Sequence, residues 1–255
     1  MLLEGAAVLV LLVLLARWKS PEIYDIVILH MTERWYSEVL GRLEPGARVL
    51  DVGIGTGGAL CRPANAALVA TNRLKIVGID YEERYIAKAK AASASAGLSE
   101  AVKVHCASVY DPSLPEMVGK DFDCACARLP APSPAAAPRL ALTPARLTPA
   151  DFSGSFSLLP DPSEALRAVA ALLKPGGKIY ITQTFQRRAL PGMSVVKPLM
   201  KYCTTIDFGQ LVFEPEAVGF VERAGMELVD NLVVPRSVDN ALQVARLIVA
   251  RPKRR

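Results

Sequence analysis

The fold of this chain is decided by the stretch Val49-Leu50-Asp51-Val52-Gly53-Ile54-Gly55-Thr56-Gly57-Gly58. Its first four residues are apolar except for Asp51, a run typical of a buried strand. The glycines that follow allow a tight turn and let a ligand approach the backbone closely, because they carry no Cβ. A helical stretch from about Ala59 to Thr71 comes next, and the free N–H groups at a helix start favour polar or anionic ligand groups. Strand, glycine loop and helix together predict a nucleotide-binding corner.

The loop satisfies the patterns of two cofactor classes. Gly53, Gly55 and Gly58 have the dinucleotide spacing G-x-G-x-x-G, whereas Asp51, Gly53, Gly55 and Gly57 fit D-x-G-x-G-x-G. The loop resembles the first motif of class I S-adenosylmethionine-dependent methyltransferases. The resemblance implies that Asp51 lies near the methionine portion of S-adenosylmethionine and that the alternating glycines line the cofactor. A glycine turn without a ligand is the alternative.

An acidic residue ends the next predicted strand, which runs from Lys75 to Asp80. Asp80 lies about 22 residues beyond the glycine loop, and a carboxylate at this position can accept both ribose hydroxyls of a nucleoside. We therefore predict that Asp80 binds the cofactor and that Tyr81 flanks the adenine. The resemblance implies that the end of the third strand, Val102 to Ala107, also borders the adenine. Methyltransferases often carry an acid there, and this chain has Ser108 instead.

A second methyltransferase-like feature lies late in the chain. The run Leu172-Leu173-Lys174-Pro175-Gly176-Gly177 predicts the end of a helix that begins at Asp161, then a turn into a fifth strand. Two final strands, Met226 to Val234 and Leu242 to Ala250, are joined by a connection short enough for a hairpin. The resemblance implies an α/β, three-layer, Rossmann-like methyltransferase fold with a mostly parallel seven-stranded sheet and a C-terminal antiparallel hairpin. A dehydrogenase would more often continue with βα units.

Composition changes abruptly after the start of the fourth strand, Phe122 to Cys126. Residues 127–151 include eight alanines and six prolines, and this many prolines rule out a continuous helix or a central strand. We interpret the segment as a low-complexity insert. Joining Cys126 directly to Phe152 would restore an ordinary domain, so residues 20–255 are expected to form one methyltransferase domain that carries the insert.

Residues 1–19 are predicted to form an apolar N-terminal helix. The twelve residues from Gly5 to Ala16 are continuously apolar, with Glu4 before them and Arg17-Trp18-Lys19 after them. Twelve helical residues cover about 18 Å, less than the roughly 30 Å hydrocarbon core, but a tryptophan flanked by cations is typical of a membrane interface. We predict a short membrane anchor and a membrane-associated protein. A helix buried against a partner, in a cytoplasmic protein, is the alternative.

Charge and cysteine content narrow the functional classes. A net charge of +5, without a basic stripe interleaved with aromatics, does not indicate a nucleic-acid partner. The five cysteines lack metal-ligand spacing and are expected to be reduced thiols in a reducing compartment. No metal is expected, because the chain has neither an H-E-x-x-H nor a C-x-x-C motif.

Residues 20–43 predict a helical lead-in to the first strand. In the methyltransferases that the chain resembles, such helices cover the cofactor and supply part of the substrate pocket, which makes His30, Glu33 and Tyr36 candidate site residues. His30 and Tyr36 are the candidate catalytic residues, although a structural role is the more common one.

After the fourth strand the chain has Phe152-Ser153-Gly154-Ser155, not the N/D-P-P-Y/F tetrapeptide of amino-methylating nucleic-acid enzymes.

Together these features predict a methyltransferase that uses S-adenosylmethionine as its cofactor. The expected reaction is in-line methyl transfer to a small-molecule or lipid-like acceptor, because the tetrapeptide of the nucleic-acid enzymes is missing and the N-terminus is apolar. Two other functions stay open. One is a catalytically inactive, cofactor-binding homologue, and the other is an NAD(P)-binding oxidoreductase.

Overall fold

One mixed sheet of seven strands runs through the computed structural model, which describes residues 29–127, 160–188 and 213–253. The strands lie in the order β3-β2-β1-β4-β5-β7-β6. In chain order they are β1 Arg48–Val52, β2 Lys75–Asp80, β3 Val102–Cys106, β4 Phe122–Ala127, β5 Leu173–Gln186, β6 Met226–Val233 and β7 Gln243–Pro252. Strands β1 to β5 run parallel, whereas β7 is antiparallel to both β5 and β6. The predicted sheet with its C-terminal antiparallel hairpin is confirmed.

Helices cover both faces of the sheet. Among the described residues they are α1 (residues 29–40), α2 Pro63–Thr71, α3 Glu83–Ser95, α4 Leu114–Val118, α5 Pro162–Ala170 and α6 Glu214–Arg223. Side chains of α1, α2 and α3 pack in one hydrophobic cluster, and those of α4, α5 and α6 pack in another. Strand β1 is buried on both sides, since Leu50 belongs to one cluster and Val49 to the other. This is the expected three-layer α/β architecture.

Helix α1 ends at Leu40 rather than Leu43, and α2 and α5 also differ in their ends from the sequence-based prediction. Helix α2 starts at Pro63 rather than near Ala59, because the chain continues in turns after the glycine loop and proline is favoured in a first helical turn. Helix α5 ends at Ala170 rather than Leu173, because Leu173 already belongs to β5. A register shift between β4 and β5 accommodates the lysine-proline-glycine-glycine run that follows.

Some predicted features lie outside the described residues. These are the apolar helix at residues 1–19 and the insert at residues 127–151, apart from Ala127. Ala127 is the last residue of β4, where it pairs with Val52 and Ile181, so the strand extends one residue into the predicted insert. The domain boundaries stay predictions. Within the described ranges, no helix has the length and apolar character needed to cross a membrane.

Close packing holds the glycine loop against β2. Gly78 lies in β2 opposite Ile54 of the loop, and a Cβ built on Gly78 would be only 2.5 Å from Ile54 Cδ1. Protein interiors are packed too densely to absorb such an overlap without movement. A larger residue at position 78 would therefore push Ile54, and the loop with it, away from the strand.

We expect Gly78→Ala to lower the free energy of unfolding by about 1–3 kcal/mol through overpacking. Gly219→Ala in α6 is the matched control, because its Cβ would contact the end of the flexible Arg223 side chain. That control should be neutral or more stable by about 0.5–1 kcal/mol, since alanine is the better helix former. Urea unfolding of both variants measures the difference. Equal stability of Gly78→Ala and the wild type would contradict this packing argument.

Candidate active site

The candidate site lies at the carboxyl edge of the sheet, beside β1. The strand order reverses there, because β2 and β3 lie on one side of β1 while β4 and β5 lie on the other. In open α/β sheets such a reversal leaves a crevice for ligands beyond the strand ends. Asp51 and the glycine loop reach this edge from β1, and Asp80 reaches it as the last residue of β2. The fold thus brings both predicted acids and the glycines together.

Three glycines give the loop its shape. Gly53, Gly55 and Gly57 have φ angles of 77°, 59° and 66°, in the left-handed region that side chains disfavour. The loop is also tied to β2, because the N–H groups of Gly53 and Ile54 donate to the Ile79 carbonyl at 2.8 and 3.1 Å. The alternating glycines are therefore required by the backbone conformation, and they present no side chain to a ligand in the crevice.

Asp80 is buried, with only 3% of its surface exposed. Its Oδ2 accepts a hydrogen bond from the Gly55 N–H at 3.0 Å, and its Oδ1 accepts one from the Glu82 N–H at 3.0 Å. Burial raises the pKa of the Asp80 carboxyl to about 6, because the two hydrogen bonds offset only part of the desolvation. Each carboxylate oxygen has a second lone pair, so Asp80 can accept two hydroxyl groups while it holds the loop.

Asp51 is the second buried acid of the site, with 1% of its surface exposed. The Tyr36 hydroxyl of α1 donates a hydrogen bond to Asp51 Oδ2 at 2.6 Å, a length typical of a bond to an ionised carboxylate. Tyr36 is itself buried. The bond joins α1 to the strand that leads into the glycine loop, so Tyr36 helps to hold α1 and the Asp51 carboxylate in position. The catalytic role suggested by the sequence stays a prediction.

Tyr81 and Ser108 lie at the neighbouring strand ends. Tyr81 directly follows β2, is partly buried, and accepts a hydrogen bond from the Cys106 thiol through its carbonyl at 3.3 Å. Ser108 lies two residues beyond β3, where its hydroxyl oxygen accepts from the Tyr110 N–H at 3.2 Å and closes a local turn. Both residues occupy the edge expected to border the adenine, and their contact with the cofactor stays a prediction.

The side chains of His30 and Glu33 pair with arginines. His30 is exposed on α1, with its Nε2 3.0 Å from Arg34 Nη2. Glu33 places its carboxylate 3.8 Å from Arg62 Nε, in a partly exposed ion pair. A catalytic role for His30 stays a prediction.

In the part of the chain that the structure describes, no group of three His, Cys, Asp or Glu side chains is arranged to hold a metal ion, and the metal-free site stays an expectation.

Asn65 is a site-supporting residue that the sequence analysis overlooked. Its side chain is fully buried on α2 and forms hydrogen bonds with α1 and with the end of the glycine loop. The available signal was a lone amide in the otherwise apolar run from Pro63 to Val69. A buried polar side chain in such a run requires hydrogen-bond partners from another element.

Comparison with known proteins agrees with this geometry. The family described as methyltransferase domain matches residues 43–220, and no curated protein sequence matches the chain. Among solved structures, the 4+2 cyclase SpnF is 20% identical with a TM-score of 0.61, over 86% of this chain and 81% of its own. An S-adenosylmethionine-dependent methyltransferase from Geobacter sulfurreducens, in complex with S-adenosyl-L-homocysteine, is 17% identical with a TM-score of 0.55, over 87% and 91%.

A further neighbour is geranyl diphosphate methyltransferase in complex with S-adenosylmethionine, 11% identical with a TM-score of 0.56 over 87% of this chain and 84% of its own. At these identities the structural likeness shows the fold. The family match shows which family the chain belongs to, because it spans more than half of the chain. The matched residues include the glycine loop and Asp80. The predicted enzyme class and the predicted cofactor, S-adenosylmethionine, are both confirmed. The chain belongs to the methyltransferase-domain family, as a class I S-adenosylmethionine-dependent methyltransferase.

Proposed function

We propose that this enzyme transfers the methyl group of S-adenosylmethionine in line to a small-molecule or lipid-like acceptor. The observation that carries the proposal is the hydrogen bond from the Gly55 N–H to Asp80 Oδ2, which joins the glycine loop and the strand-end acid in one unit. The antiparallel β7 beside β5 argues against an NAD(P)-dependent oxidoreductase, whose sheet would continue with parallel strands. The name of one structural neighbour, geranyl diphosphate methyltransferase, supports an acceptor of small-molecule, isoprenoid-like chemistry.

The residues at this edge fit S-adenosylmethionine. The loop offers bare backbone at three glycines, and a Cβ on Gly57 would already press on Ala89 at 3.3 Å. Asp80 retains lone pairs for the two ribose hydroxyls. We assign Asp51 to the methionine portion, and Tyr81 and Ser108 to the adenine. The proposed cofactor-binding residues are Asp51, Gly53, Gly55, Gly57, Asp80, Tyr81 and Ser108.

The chemistry of the reaction is divided between cofactor and protein. Bound S-adenosylmethionine supplies an electrophilic methyl carbon and a good leaving group. The protein supplies alignment, since holding two reactants in line removes much of the entropic part of the barrier. Tyr36 holds the Asp51 carboxylate in one orientation. His30 and Tyr36 remain the proposed candidates for a general base, and the bond from Tyr36 to Asp51 supports a positioning role for Tyr36.

Membrane association through residues 1–19 is part of the proposal. The support is the apolar run that ends in Arg17-Trp18-Lys19. Deleting residues 1–19 should move the protein from the membrane pellet to the supernatant after ultracentrifugation, with an unchanged melting temperature. Recovery of the full-length chain in the supernatant without detergent would remove the anchor from the proposal.

Asp80→Asn should weaken S-adenosylhomocysteine binding by about 1.5–3 kcal/mol, because the amide replaces one acceptor oxygen by a donor. Isothermal titration calorimetry on the full chain measures this, with Asp230→Asn, on the exposed edge strand β6, as the matched control. The wild type should bind S-adenosylhomocysteine and not NAD. Unchanged affinity in a folded Asp80→Asn variant would take Asp80 out of the site.

Two further outcomes separate the alternatives. Binding of NAD in place of S-adenosylhomocysteine would favour the oxidoreductase. Binding of S-adenosylhomocysteine with no turnover of S-adenosylmethionine, across a panel of small-molecule and lipid acceptors, would favour the inactive homologue.

Cofactor affinity should also depend on pH through Asp80. Burial raises the pKa of Asp80 to about 6 from its ordinary 3.8, so acid removes the charged acceptor of the ribose hydroxyls. We expect the wild-type affinity for S-adenosylhomocysteine to fall roughly tenfold between pH 7.5 and pH 5. Calorimetry at both pH values should show no comparable fall in Asp80→Asn. Parallel pH profiles for the two proteins would contradict this assignment.

The pH dependence of folding stability has the opposite sign to the pH dependence of cofactor affinity. Because the pKa of Asp80 is higher in the folded state, its contribution to stability is present below pH 3.8 and is lost as the pH rises through about 6. The wild type should therefore lose stability relative to Asp80→Asn over this range, by on the order of 2 kcal/mol. Thermal unfolding of both proteins at pH 4 and pH 7.5 measures the difference, and a gap that is independent of pH would argue against the shift.

A further inference from the structure

We propose that Asn65 is a positioning residue that fixes α1 against the glycine loop, so that the Tyr36 hydroxyl reaches Asp51. The inference rests on the proposed function, because the proposed function assigns Asp51 to the cofactor site. It concerns a residue on α2 whose side-chain hydrogen bonds run to α1 and to Ala59 rather than to Asp51 or Asp80.

The Asn65 amide connects three parts of the chain. Its Nδ2 donates to the Glu33 carbonyl of α1 at 3.0 Å and to the Ala59 carbonyl, just after the glycine loop, at 2.8 Å. Its Oδ1 accepts a hydrogen bond from the Ser37 hydroxyl of α1 at 2.7 Å. Both amide protons and the amide oxygen are thus engaged. The side chain is 0% exposed, so no water competes for these bonds.

These bonds determine where Tyr36 lies. Glu33 and Ser37 are four residues apart, so they lie on the same side of α1, and Asn65 binds both of them. Tyr36 directly precedes Ser37, and its hydroxyl donates to Asp51 Oδ2 at 2.6 Å. A shift of α1 along α2 would therefore carry the hydroxyl away from the carboxylate.

Contact between α1 and the glycine loop leaves little room for such a shift. Gly58 has no positive φ, unlike the three glycines before it, and a Cβ there would lie 3.0 Å from Leu29 Cδ2. The helix thus packs directly on the loop backbone. Glu33 and Arg62 add only a partly exposed ion pair at 3.8 Å, a kind of contact that contributes little.

The three directional hydrogen bonds of Asn65 give this residue a role in placing α1 that an apolar side chain could not fill. An apolar side chain of similar volume would avoid the desolvation cost of a buried amide, but it would take a hydrogen-bond partner from the Ser37 hydroxyl and from the Ala59 carbonyl. A buried amide whose hydrogen bonds are all formed holds the elements that it joins in one relative placement, because each bond is directional. The net effect of Asn65 should therefore appear in the alignment of Tyr36 with Asp51.

A double-mutant cycle on the full chain tests this inference. Calorimetry with S-adenosylhomocysteine compares the wild type, Asn65→Leu, Tyr36→Phe and the double variant. We expect each single change to weaken binding roughly 5- to 20-fold, and the double variant to be no weaker than the weaker single variant, since both changes disturb one contact. Asn72→Leu, at the C-terminal end of the same helix, is the matched control and should bind like the wild type.

Three results would overturn the inference. One is unchanged affinity in a folded Asn65→Leu variant with only a lower melting temperature, and another is additive losses in the double variant. If Asn65→Leu does not fold, Ser37→Ala removes the hydroxyl that bonds to Asn65 Oδ1 and also lies 3.1 Å from the Glu33 carbonyl, and it leaves both Asn65 Nδ2 bonds in place. This variant should bind roughly 2- to 5-fold more weakly, so unchanged affinity there is the third. A wild-type chain that binds no S-adenosylhomocysteine would overturn the proposed function first, and the inference with it.

Discussion

The hydrogen bond from the Gly55 N–H to the buried Asp80 carboxylate is the contact on which the rest of the site depends. Gly55 donates this bond from a left-handed backbone with a φ angle of 59°, a conformation that glycine adopts more readily than other residues. The bond also requires the loop to lie close to β2, which Gly78 allows by leaving space for Ile54. Glycine spacing, strand order and the position of the acid are therefore parts of one arrangement.

Helix α1 adds a further contact to this arrangement, at β1. Its Tyr36 bonds to Asp51 at the strand end, while the Trp35 indole donates to the Ser237 hydroxyl between β6 and β7 at 3.1 Å. The helix therefore spans from the cofactor side of the sheet to the C-terminal hairpin. Because the same helix contacts both regions, a change in its position would disturb the glycine loop and the hairpin together.

Local sequence pattern is enough to predict the glycine loop and the end of β2, whereas β4 extends one residue beyond its predicted end and β5 begins at Leu173, before the predicted turn. Asp80 ends an apolar run and Asp51 is the next-to-last residue of another, and the conformation of the glycine loop depends mainly on residues next to one another in the chain. The ends of α2 and α5 were predicted less well, since the end of α5 depends on the pairing of Leu173 with a distant strand. Asn65 was overlooked for the same reason. Its partners on α1 are far away in sequence, and no local pattern specifies how two helices dock.

The measurement that tests the central claim most directly is a crystal structure of the full chain with S-adenosylhomocysteine. We expect both ribose hydroxyls within hydrogen-bonding distance of the Asp80 carboxylate, with the backbone of Gly53, Gly55 and Gly57 against the cofactor and the Gly55–Asp80 bond intact. A ribose bound by a different acid, while Asp80 bonds only to the N–H groups of Gly55 and Glu82, would contradict the account.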